Sequence, residues 1–489
     1  MLLCLNESPF LMENFPQPYS EIRNSLFQGT LSCVDLVRQY LSRIDALNKQ
    51  LNVFLEVYSE EALASARLID QKIKDGKAGK LAGMVVGMKD LLCYQDHGAQ
   101  AGSQILNGFK STFSATAVQR IISEDAIIIG RQNCDEFAMG SSNENSAYGP
   151  VKNGIDPARV PGGSSGGSAV GVQMNHCMIS LGSDTGGSVR QPADFCGIVG
   201  LKPSYGRISR YGLTSYASSF DQIGIFAKSV GDAAVVLEII AGPDAFDSTV
   251  SQLPVPAYSA VVHEPTPKKR IAYFKEALEH PSLDPEIRAA IYTSIDNLQK
   301  AGYTVDAVSF DMLDLVVPTY YVLTTAEASS NLSRYDGVKF GHRSNDNKDL
   351  TALYKNARSE GFGKEVKRRI MLGTFVLSAG YFDAYFTKAQ QIRKLLVDGA
   401  AQLFKNYDAI ILPTVPSPAF LIGDNTKDSV AMFLADIYTV YANLVGIPAI
   451  SIPLYKHSNG LPFGLQVMCA PYEEVTLLQL STAIQKSHE

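Results

Sequence analysis

The chain of 489 residues lacks tryptophan and contains only seven cysteines. The cysteines are odd in number and form no C-x-x-C pair. Disulfide frameworks use even sets of cysteines and zinc sites use closely spaced ones, so the sequence favours neither. Free cysteines are typical of a reducing compartment, and we predict a cytoplasmic protein.

Long hydrophobic runs are also absent. No uninterrupted apolar segment approaches the roughly eighteen residues that a membrane-spanning helix needs, so we predict no membrane partner. Residues 1–15, MLLCLNESPFLMENF, carry no basic residue, and the first one in the chain is Arg23. This stretch does not resemble a signal peptide, and Met12 is a second candidate start residue beside Met1.

Positive charge is scarce. The 43 lysines and arginines are outnumbered by 49 acidic residues, the net charge is −6, and no tract is rich in lysine or arginine. Tight binding of nucleic acid needs clustered positive charge that displaces counterions. If an RNA takes part in the function, we expect a partner to bind it.

Strand and helix patterns alternate along the chain, which is typical of α/β proteins with a parallel or mixed sheet. Ser32 is expected to cap a helix whose apolar residues recur at three- and four-residue intervals, and a second helix is expected at residues 60–74. Residues 12–80 are therefore interpreted as an N-terminal helical layer. Proline, aspartate and serine become frequent at residues 242–268, which makes this segment a possible excursion from the main body.

The residues with the clearest chemical character lie at 161–190. Two glycine-flanked serine turns, at 162–167 and 185–188, enclose an apolar run at 170–181. The run is too apolar for a flexible linker, and no lysine follows the glycines as a phosphate-binding loop requires. Glycines beside a serine let successive backbone N–H groups approach one bound atom, so we predict that this stretch binds an oxyanion.

Lys89 is expected at the end of an apolar strand within residues 81–92. Two interpretations are open, a surface charge at the end of the strand or a buried amine. Burial lowers the pKa of a lysine, and only the neutral amine can act as a base. Asp90 is expected to orient a neighbour or to face solvent. The long polar segment 133–153 is predicted to form a loop over the site.

Three segments, GMKD, GGSSGGSA and DTGGSVRQPA, contain Lys89, Ser164 and Ser188, and the two serines stand 24 positions apart. Together they resemble the motifs of the amidase signature family. FAMGSSNENSAYGPVKN and FGKEVKRRIMLGTFVLSAGYFDAYF are similar to the glutamine-hydrolysing subunits of tRNA-dependent amidotransferases in that family. The resemblance implies the amidase signature fold, an α/β fold with a large mixed sheet covered by helices on both faces. It also implies a single domain over residues 1–489.

The resemblance further implies a catalytic triad of Lys89, Ser164 and Ser188. Ser188 matches the nucleophile, Ser164 the serine that bridges it to the base, and Lys89 the base. A serine hydroxyl is a poor nucleophile until a neighbouring base accepts its proton. The backbone N–H groups of four residues are expected to form the oxyanion hole: Thr185, Gly186, Gly187 and Ser188.

Glutamine would need a cation for its carboxylate and an anion for its amine. By position in the matching segments, Arg369 and Asp436 are the expected groups, and Tyr320 is expected to line the pocket. Arg368 and Tyr321 remain adjacent alternatives. Asp436 is expected inside an otherwise apolar helix.

Partners are implied by the same resemblance. The complex would be a heterotrimer with a B subunit, which binds Glu-tRNA(Gln) and activates its glutamyl group with ATP and Mg²⁺, and a small C subunit. Ammonia would pass to the B subunit through a tunnel. The chain itself is expected to bind no cofactor and no metal, and the sequence leaves open whether Asp-tRNA(Asn) is also served.

Three other interpretations remain open. Residues 163–167 match G-x-S-x-G, the nucleophile turn of Ser-His-Asp hydrolases, which would need a histidine such as His342 or His457. His176 lies in an apolar run and is interpreted as a satisfied core histidine. The second interpretation is a stand-alone amidase with the same chemistry that acts on other small amides. The third is a scaffold subunit that has lost catalysis.

Overall fold

The computed structural model of the chain describes residues 18–265, 267–346, 348–424 and 435–488. Its centre is one sheet of eleven strands in the order β1-β3-β2-β4-β6-β5-β10-β11-β9-β7-β8. The strands are β1 Phe54–Val57, β2 Val85–Lys89, β3 Ile127–Gln132, β4 Ile179–Asp184, β5 Val199–Lys202, β6 Gln222–Ala227, β7 Arg270–Phe274, β8 Thr304–Val308, β9 Ala409–Pro413, β10 Ala449–Lys456 and β11 Pro462–Cys469.

Sixteen α-helices are assigned within the described residues. They are α1 Tyr19–Phe27, α2 Cys33–Leu51, α3 Ser59–Lys74, α4 Thr116–Ser123, α5 Gly166–Gln173, α6 Arg190–Cys196, α7 Val230–Ile240, α8 Tyr258–Val261, α9 Lys275–Glu279, α10 Pro285–Lys300, α11 Leu313–Asn331, α12 Leu350–Gly361, α13 Lys364–Val376, α14 Lys388–Leu403, α15 Val440–Val445 and α16 Glu474–His488. Within the same residues, no helix is long and apolar enough to cross a bilayer.

The sheet is mixed, as predicted. Strands β3, β2 and β4 pair in parallel near one end of the sheet, and β9, β7 and β8 do so at the other. The strands between these groups pair antiparallel. Parallel pairing needs crossover connections, and helices between the strands supply them.

Both faces of the sheet are covered, which confirms the predicted layer arrangement. Along β2, Val85 packs into one apolar cluster, whereas Val86 and Met88 pack into another on the opposite face. This alternation follows from the two-residue period of a strand. Helices α2, α3, α5 and α6 contribute to the first cluster, and α4, α7 and α16 contribute to the second.

The N-terminal layer contains the predicted helices and one strand that the sequence did not indicate. The Ser32 hydroxyl accepts a hydrogen bond from the Asp35 N–H at 3.0 Å and donates one to the Asp35 carboxylate at 2.7 Å, so the predicted cap of α2 is present. Strand β1 follows α2 and pairs with β3. It has only four residues, too few for a clear periodic pattern. Met1 and Met12 lie outside the described residues.

Segment 242–268 leaves α7, forms α8 and returns to β7. Its Asp244 carboxylate accepts hydrogen bonds from the Thr116 and Ser209 hydroxyls at 2.5 Å. Its carbonyl groups at Leu253 and Pro254 accept from Arg207. The segment therefore packs on the body, and strands on either side of it share one sheet. That residues 1–489 form a single domain stays a prediction.

The sheet brings the two halves of the candidate site together. Strands β2 and β4 are parallel neighbours, and they end at Lys89 and Asp184. Carboxyl ends of parallel neighbours open at the same edge of a sheet, where α/β proteins place their ligands. The turn 185–189 therefore starts next to Lys89.

Candidate active site

Lys89 is fully buried at the end of β2, and its amine is surrounded by serine hydroxyls. Its Nζ lies 2.7 Å from Ser164 Oγ, 2.8 Å from Ser165 Oγ and 2.9 Å from Ser183 Oγ. Of the two interpretations left open by the sequence, the structure selects the buried amine. The role of Lys89 as a base stays a prediction.

Burial lowers the pKa of Lys89 to about 8, although acidic neighbours such as Asp135 and Asp184 act against the shift. A substantial fraction of the amine is therefore neutral near physiological pH. The Ser165 hydroxyl donates to the Ser183 carbonyl oxygen at 3.1 Å and therefore accepts from Lys89. The Ser164 and Ser183 hydroxyls suit either charge state, because a hydroxyl can accept a hydrogen bond from the ammonium or donate one to the neutral amine.

Ser164 follows a cis peptide bond, Gly163–Ser164. Its carbonyl oxygen accepts from the Asp135 N–H at 3.1 Å. A Cβ on Gly163 would lie 2.2 Å from the Asp135 carboxylate and 2.6 Å from the Ser142 nitrogen. Only glycine fits at this position, because the segment 133–153 packs directly against the serine turn. Segment 133–153 thus lies against the site, in agreement with the sequence. That it forms a loop with a function over the site stays a prediction.

Ser188 lies in the turn between β4 and α6, and 8 % of its surface is exposed. Its hydroxyl forms no hydrogen bond with any residue that the structure describes. Of the two hydrogen bonds that a relay would need, the structure thus shows the one between Lys89 and Ser164 but not the one between Ser164 and Ser188. The Ser188 hydroxyl is therefore not committed to a partner among these residues.

The turn that carries Ser188 is held by the buried Asp184 carboxylate. Asp184 accepts from the N–H groups of Gly187 at 2.8 Å and Val189 at 3.1 Å. It also accepts two hydrogen bonds from the Arg190 guanidinium, at 3.0 and 3.1 Å. Burial alone would raise the pKa of Asp184, but Arg190 and the other donors hold it well below its usual range. Asp184 is therefore an anion that fixes the backbone of the turn.

These contacts reduce the number of backbone N–H groups available to the predicted oxyanion hole. The Gly187 N–H already donates to Asp184. Within the described parts of the chain, the N–H groups of Thr185, Gly186 and Ser188 donate to no acceptor. A Cβ on Gly186 would lie 2.5 Å from the Tyr320 ring, so the tyrosine closes over this turn. Three backbone donors are thus free beside Ser188, and their role stays a prediction.

We expect Asp184→Asn to destabilise the fold by about 3–5 kcal/mol, because it leaves the fully buried Arg190 charge without its anion. Urea unfolding of the variant and the parent protein measures the difference. Asp398→Asn is a matched control, since Asp398 pairs with Lys394 on the exposed face of α14. That change should cost less than about 1 kcal/mol. Equal losses in the two variants would contradict the structural role of Asp184.

The structure separates the two candidate arginines on α13. Arg369 is buried; it donates to Tyr216 Oη at 2.8 Å and to Glu365 at 2.7 Å. Arg368 lies on the exposed side of α13 and pairs with Glu365. Only Arg369 therefore lies among the buried groups of the site.

Asp436 is buried beside the tyrosine pair of α11. Its carboxylate accepts from the Ser141 hydroxyl at 2.9 Å and from Tyr321 Oη at 3.1 Å. Burial raises the pKa of Asp436 to about 6, although Ser141 and Arg369 lower it. Tyr320 lies over Gly186 and Tyr321 contacts Asp436, so both tyrosines belong to the candidate site. Their individual roles stay predictions.

The expectation that Asp436 lies inside an apolar helix is wrong in part. Asp436 lies in a turn just before α15, and its carbonyl accepts from the Thr439 and Val440 N–H groups. Residues 430–434, which complete the apolar pattern, lie outside the described residues. The apolar residues 437–442 are buried, which is why the pattern resembled one continuous helix.

Several residues of the site were not identified from the sequence. Ser165 and Ser183 contact Lys89, and Ser141 contacts Asp436. Tyr216 contacts Arg369. Ser165 directly follows the predicted bridging serine, which is a local signal. The other three come from distant segments, and only the fold brings them to the site.

The histidines offer no base for a Ser-His-Asp hydrolase. His342 contacts Glu360 at 2.7 Å, and His457 lies 3.3 Å from Glu286. Ser165, the serine of the G-x-S-x-G match, contacts Lys89 instead. His176 is buried as predicted, and burial lowers its pKa to about 4. It is not a satisfied core histidine, because neither ring nitrogen has a hydrogen-bond partner among the described residues.

Among the described residues, no group of three or more histidines, cysteines, aspartates or glutamates could hold a metal ion. The charged groups near Lys89 are instead engaged with arginine or with backbone N–H groups. The immediate surroundings of Lys89 therefore consist of serine hydroxyls.

Comparison with known proteins agrees with this arrangement. The sequence profile of the amidase family, described as "Amidase", matches residues 35–478. The chain belongs to the amidase family. The amidases are a family of enzymes, and the buried lysine with its serine neighbours lies within the matched part of the chain.

Relatives of this amidase include two proteins named as the A subunit of glutamyl-tRNA(Gln) amidotransferase. The one from Koribacter versatilis is 49 % identical over 92 % of this chain and 94 % of its own length. The one from Chlorobaculum tepidum is 48 % identical over 96 % of this chain and 97 % of its own length. These matches confirm the resemblance stated from the sequence motifs.

Solved structures show the same fold. The crystal structure of the A subunit of glutamyl-tRNA(Gln) amidotransferase from Thermotoga maritima has a TM-score of 0.78 and 38 % identity, over 95 % of this amidase and 94 % of that chain. The peptide amidase from Stenotrophomonas maltophilia has a TM-score of 0.80 and 28 % identity, over 97 % and 98 % of the two chains. The predicted amidase signature fold is therefore confirmed.

Proposed function

We propose that this amidase is the glutaminase subunit of a tRNA-dependent amidotransferase. The observation that carries the proposal is the buried Lys89 amine, 2.7 Å from the Ser164 hydroxyl and next to the turn with Ser188. The relatives named as the A subunit of glutamyl-tRNA(Gln) amidotransferase support the choice of glutamine as substrate. The product would be ammonia for the conversion of Glu-tRNA(Gln) to Gln-tRNA(Gln).

Lys89 would act as the general base in its neutral form. It accepts the proton of Ser164 while Ser164 accepts the proton of Ser188, and Ser188 Oγ attacks the side-chain amide carbon of glutamine. The Ser188 hydroxyl must turn toward Ser164 for this step. The relay then returns the proton to the leaving nitrogen, which departs as ammonia. Water attacks the resulting glutamyl ester and releases glutamate.

The negative charge that forms on the amide oxygen would be bound by the free N–H groups of Thr185, Gly186 and Ser188. A fixed donor of this kind contributes about 3 kcal/mol to the transition state. Asp184 prepares these donors, because it holds the turn before the substrate arrives.

Recognition of glutamine would use the buried charges of the site. Arg369 would bind the α-carboxylate, Asp436 would bind the α-ammonium group, and Tyr320 would line the pocket. Arg369 and Asp436 are both buried, which strengthens each contact relative to water. The proposal therefore predicts a preference for an α-amino acid with a side-chain amide over other small amides.

The remaining steps would fall to partner subunits. A B subunit would bind the tRNA and use ATP with Mg²⁺, and a small C subunit would complete a heterotrimer. The chain supports this division, because its net charge is −6 and it has no phosphate-binding loop. The six cysteines in the described residues are unpaired and buried, which fits a reducing cytoplasm.

The test is purification of the chain with its natural companions, followed by measurement of ammonia release from glutamine and of Gln-tRNA(Gln) formation. We expect both activities in the complex, and glutamine hydrolysis that depends on the companions. Efficient hydrolysis of other small amides by the isolated chain, without preference for glutamine, would favour a stand-alone amidase. Absence of any glutamyl hydroxamate with glutamine and hydroxylamine would favour a scaffold subunit.

We predict that kcat/KM for glutamine rises with pH and levels off above about pH 8, where the Lys89 amine is mostly neutral. Each pH unit below that pKa lowers the neutral fraction, and with it the rate, about tenfold. Below about pH 6 the curve should steepen, because Asp436 is then protonated and loses its charge for the substrate amine. A rate profile from pH 5 to about 9, over which the α-amine of glutamine stays largely protonated, measures this, and a flat profile would contradict a lysine base.

A further inference from the structure

A second buried carboxylate, Asp221, lies beside the oxyanion turn. Asp221 directly precedes β6, and the antiparallel register of β4 with β6 places it opposite Thr185. Its Oδ1 accepts from the Thr185 hydroxyl at 2.7 Å. Two carboxylates thus hold the turn that would form the oxyanion hole. Asp184 binds backbone N–H groups of the turn, and Asp221 binds the Thr185 side chain.

The same carboxylate also holds a second turn, at residues 215–217. Asp221 Oδ2 accepts from the Tyr216 N–H at 2.9 Å, from the Ala217 N–H at 3.0 Å and from the Ser215 hydroxyl at 3.1 Å. All of these partners donate, so the site is built for an ionised carboxylate. Oδ2 therefore binds only the second turn, whereas Oδ1 binds the oxyanion turn and also accepts from the Ala217 N–H at 3.2 Å.

Tyr216 connects this second turn to the candidate glutamine pocket. Its hydroxyl accepts from Arg369 Nη1 at 2.8 Å and donates to Thr324 at 3.0 Å. The Arg369 guanidinium carbon lies 5.6 Å from the centre of the Tyr216 ring. The position of Tyr216 thus fixes where the Arg369 guanidinium lies.

We propose that Asp221 is a positioning residue that links the arginine for the substrate carboxylate to the oxyanion turn. The chain of contacts runs from Arg369 through Tyr216 and Asp221 to Thr185. This inference rests on the proposed function, because it assigns Arg369 to the carboxylate of glutamine. Correct placement of the substrate and correct geometry of the turn then depend on one buried group.

Asp221→Asn tests the link with little change in shape. An amide has one acceptor oxygen where the carboxylate has two, so it can serve the N–H groups of Tyr216 and Ala217 or the Thr185 hydroxyl, but not both in their present directions. Loss of a hydrogen bond to a charged group lowers a rate or an affinity about tenfold. We expect kcat to fall and KM for glutamine to rise, each about tenfold.

Two single variants separate the two ends of the link. Thr185→Val removes the hydroxyl but keeps the side-chain shape; it should lower kcat and leave KM unchanged, and Thr185→Ser should restore kcat. Tyr216→Phe leaves Arg369 Nη1 without its partner, so it should raise KM and leave kcat nearly unchanged. These two variants test the inference even if Asp221→Asn does not fold.

A substrate without the α-carboxylate gives an independent measurement. With 4-aminobutanamide, Tyr216→Phe should have no effect on kcat/KM, whereas Asp221→Asn should still lower it through the oxyanion turn. Asp232→Asn is the control for loss of a half-buried carboxylate away from the site, because Asp232 lies in the first turn of α7 and its carboxylate accepts from the Tyr19 N–H. It should lower the melting temperature and leave both kinetic constants unchanged.

The outcomes distinguish this inference from the proposed function. If the parent protein with its companions does not hydrolyse glutamine, the proposed function is wrong. If it does, and Asp221→Asn changes only the melting temperature or only one kinetic constant, the link is wrong and the function stands. An unchanged kcat in Thr185→Val would also overturn the link.

Discussion

Replacement of Ser188 with alanine is expected to abolish glutamine hydrolysis and to leave the fold intact. The Ser188 hydroxyl forms no hydrogen bond with the described residues, so its removal leaves no protein group without a partner. The loss of the nucleophile should lower kcat by about 10⁴-fold or more. Ammonia release with the partner subunits present measures the rate, and urea unfolding checks the fold.

The attacking atom can be identified directly. Hydroxylamine should cleave the glutamyl ester of the parent protein and release glutamyl hydroxamate. In a separate sample, quenched with acid and without hydroxylamine, mass spectrometry should place the glutamyl group on Ser188. Ser481→Ala is a suitable control, because Ser481 is a buried serine of α16 whose hydroxyl bonds only within its helix. An adduct on Ser164, Ser165 or any other residue of the Ser188→Ala variant would contradict the mechanism.

Local sequence signals predicted much of the fold. Helix α2 could be placed because Ser32 and Asp35 form a capping pair, and helix α10 because Asp284 and Pro285 open it. Strand β1 was missed because its four residues are too few for a period. Local patterns thus identify long elements well, whereas short strands are decided by their neighbours in the sheet.

The residues of the candidate site also divide into those with a local sequence signal and those without one. Lys89 could be singled out because a lysine among apolar residues is unusual, but only the structure shows that it is buried. Arg369 could have been separated from Arg368 by helical spacing, since Val366, Gly373 and Val376 lie on the same buried face of α13. Tyr216 had no such signal, because its contact with Arg369 joins residues far apart in the chain.

The two buried lysines beside the site show what makes one of them a base. Both amines are fully buried and have three oxygen neighbours. Lys202 donates to the carbonyl oxygens of Pro203 and Ile447 and to the Gln222 amide oxygen. These oxygens can only accept, so three donors are needed and the ammonium form satisfies all of them. Burial lowers the pKa of Lys202 to about 7, so a lowered pKa does not by itself distinguish the two amines. The Ser164 and Ser183 hydroxyls beside Lys89 can reverse their direction, which lets that amine gain and lose a proton.

This difference leads to the second large prediction. Lys89→Met keeps the size of the side chain and removes the amine, and the Ser165 hydroxyl keeps its hydrogen bond to the Ser183 carbonyl oxygen. We expect the fold to survive and kcat for glutamine to fall by about 10²–10⁴-fold, the usual contribution of a general base. The pH dependence near pH 8 should disappear with the amine, because no other group is assigned to accept the Ser188 proton.

For Lys202→Met we expect the opposite result, a less stable fold with the pH dependence of activity retained. It leaves buried carbonyl oxygens without donors, which costs about 1–3 kcal/mol for each of them. We therefore expect a marked loss of unfolding free energy and, in the fraction that folds, a retained pH profile. If Lys89→Met instead kept most of its activity, a histidine-based mechanism would regain support, and the relay through Ser164 would be wrong. Because the two lysines are equally buried, burial alone cannot explain a difference between the variants, and the direction of their hydrogen bonds can.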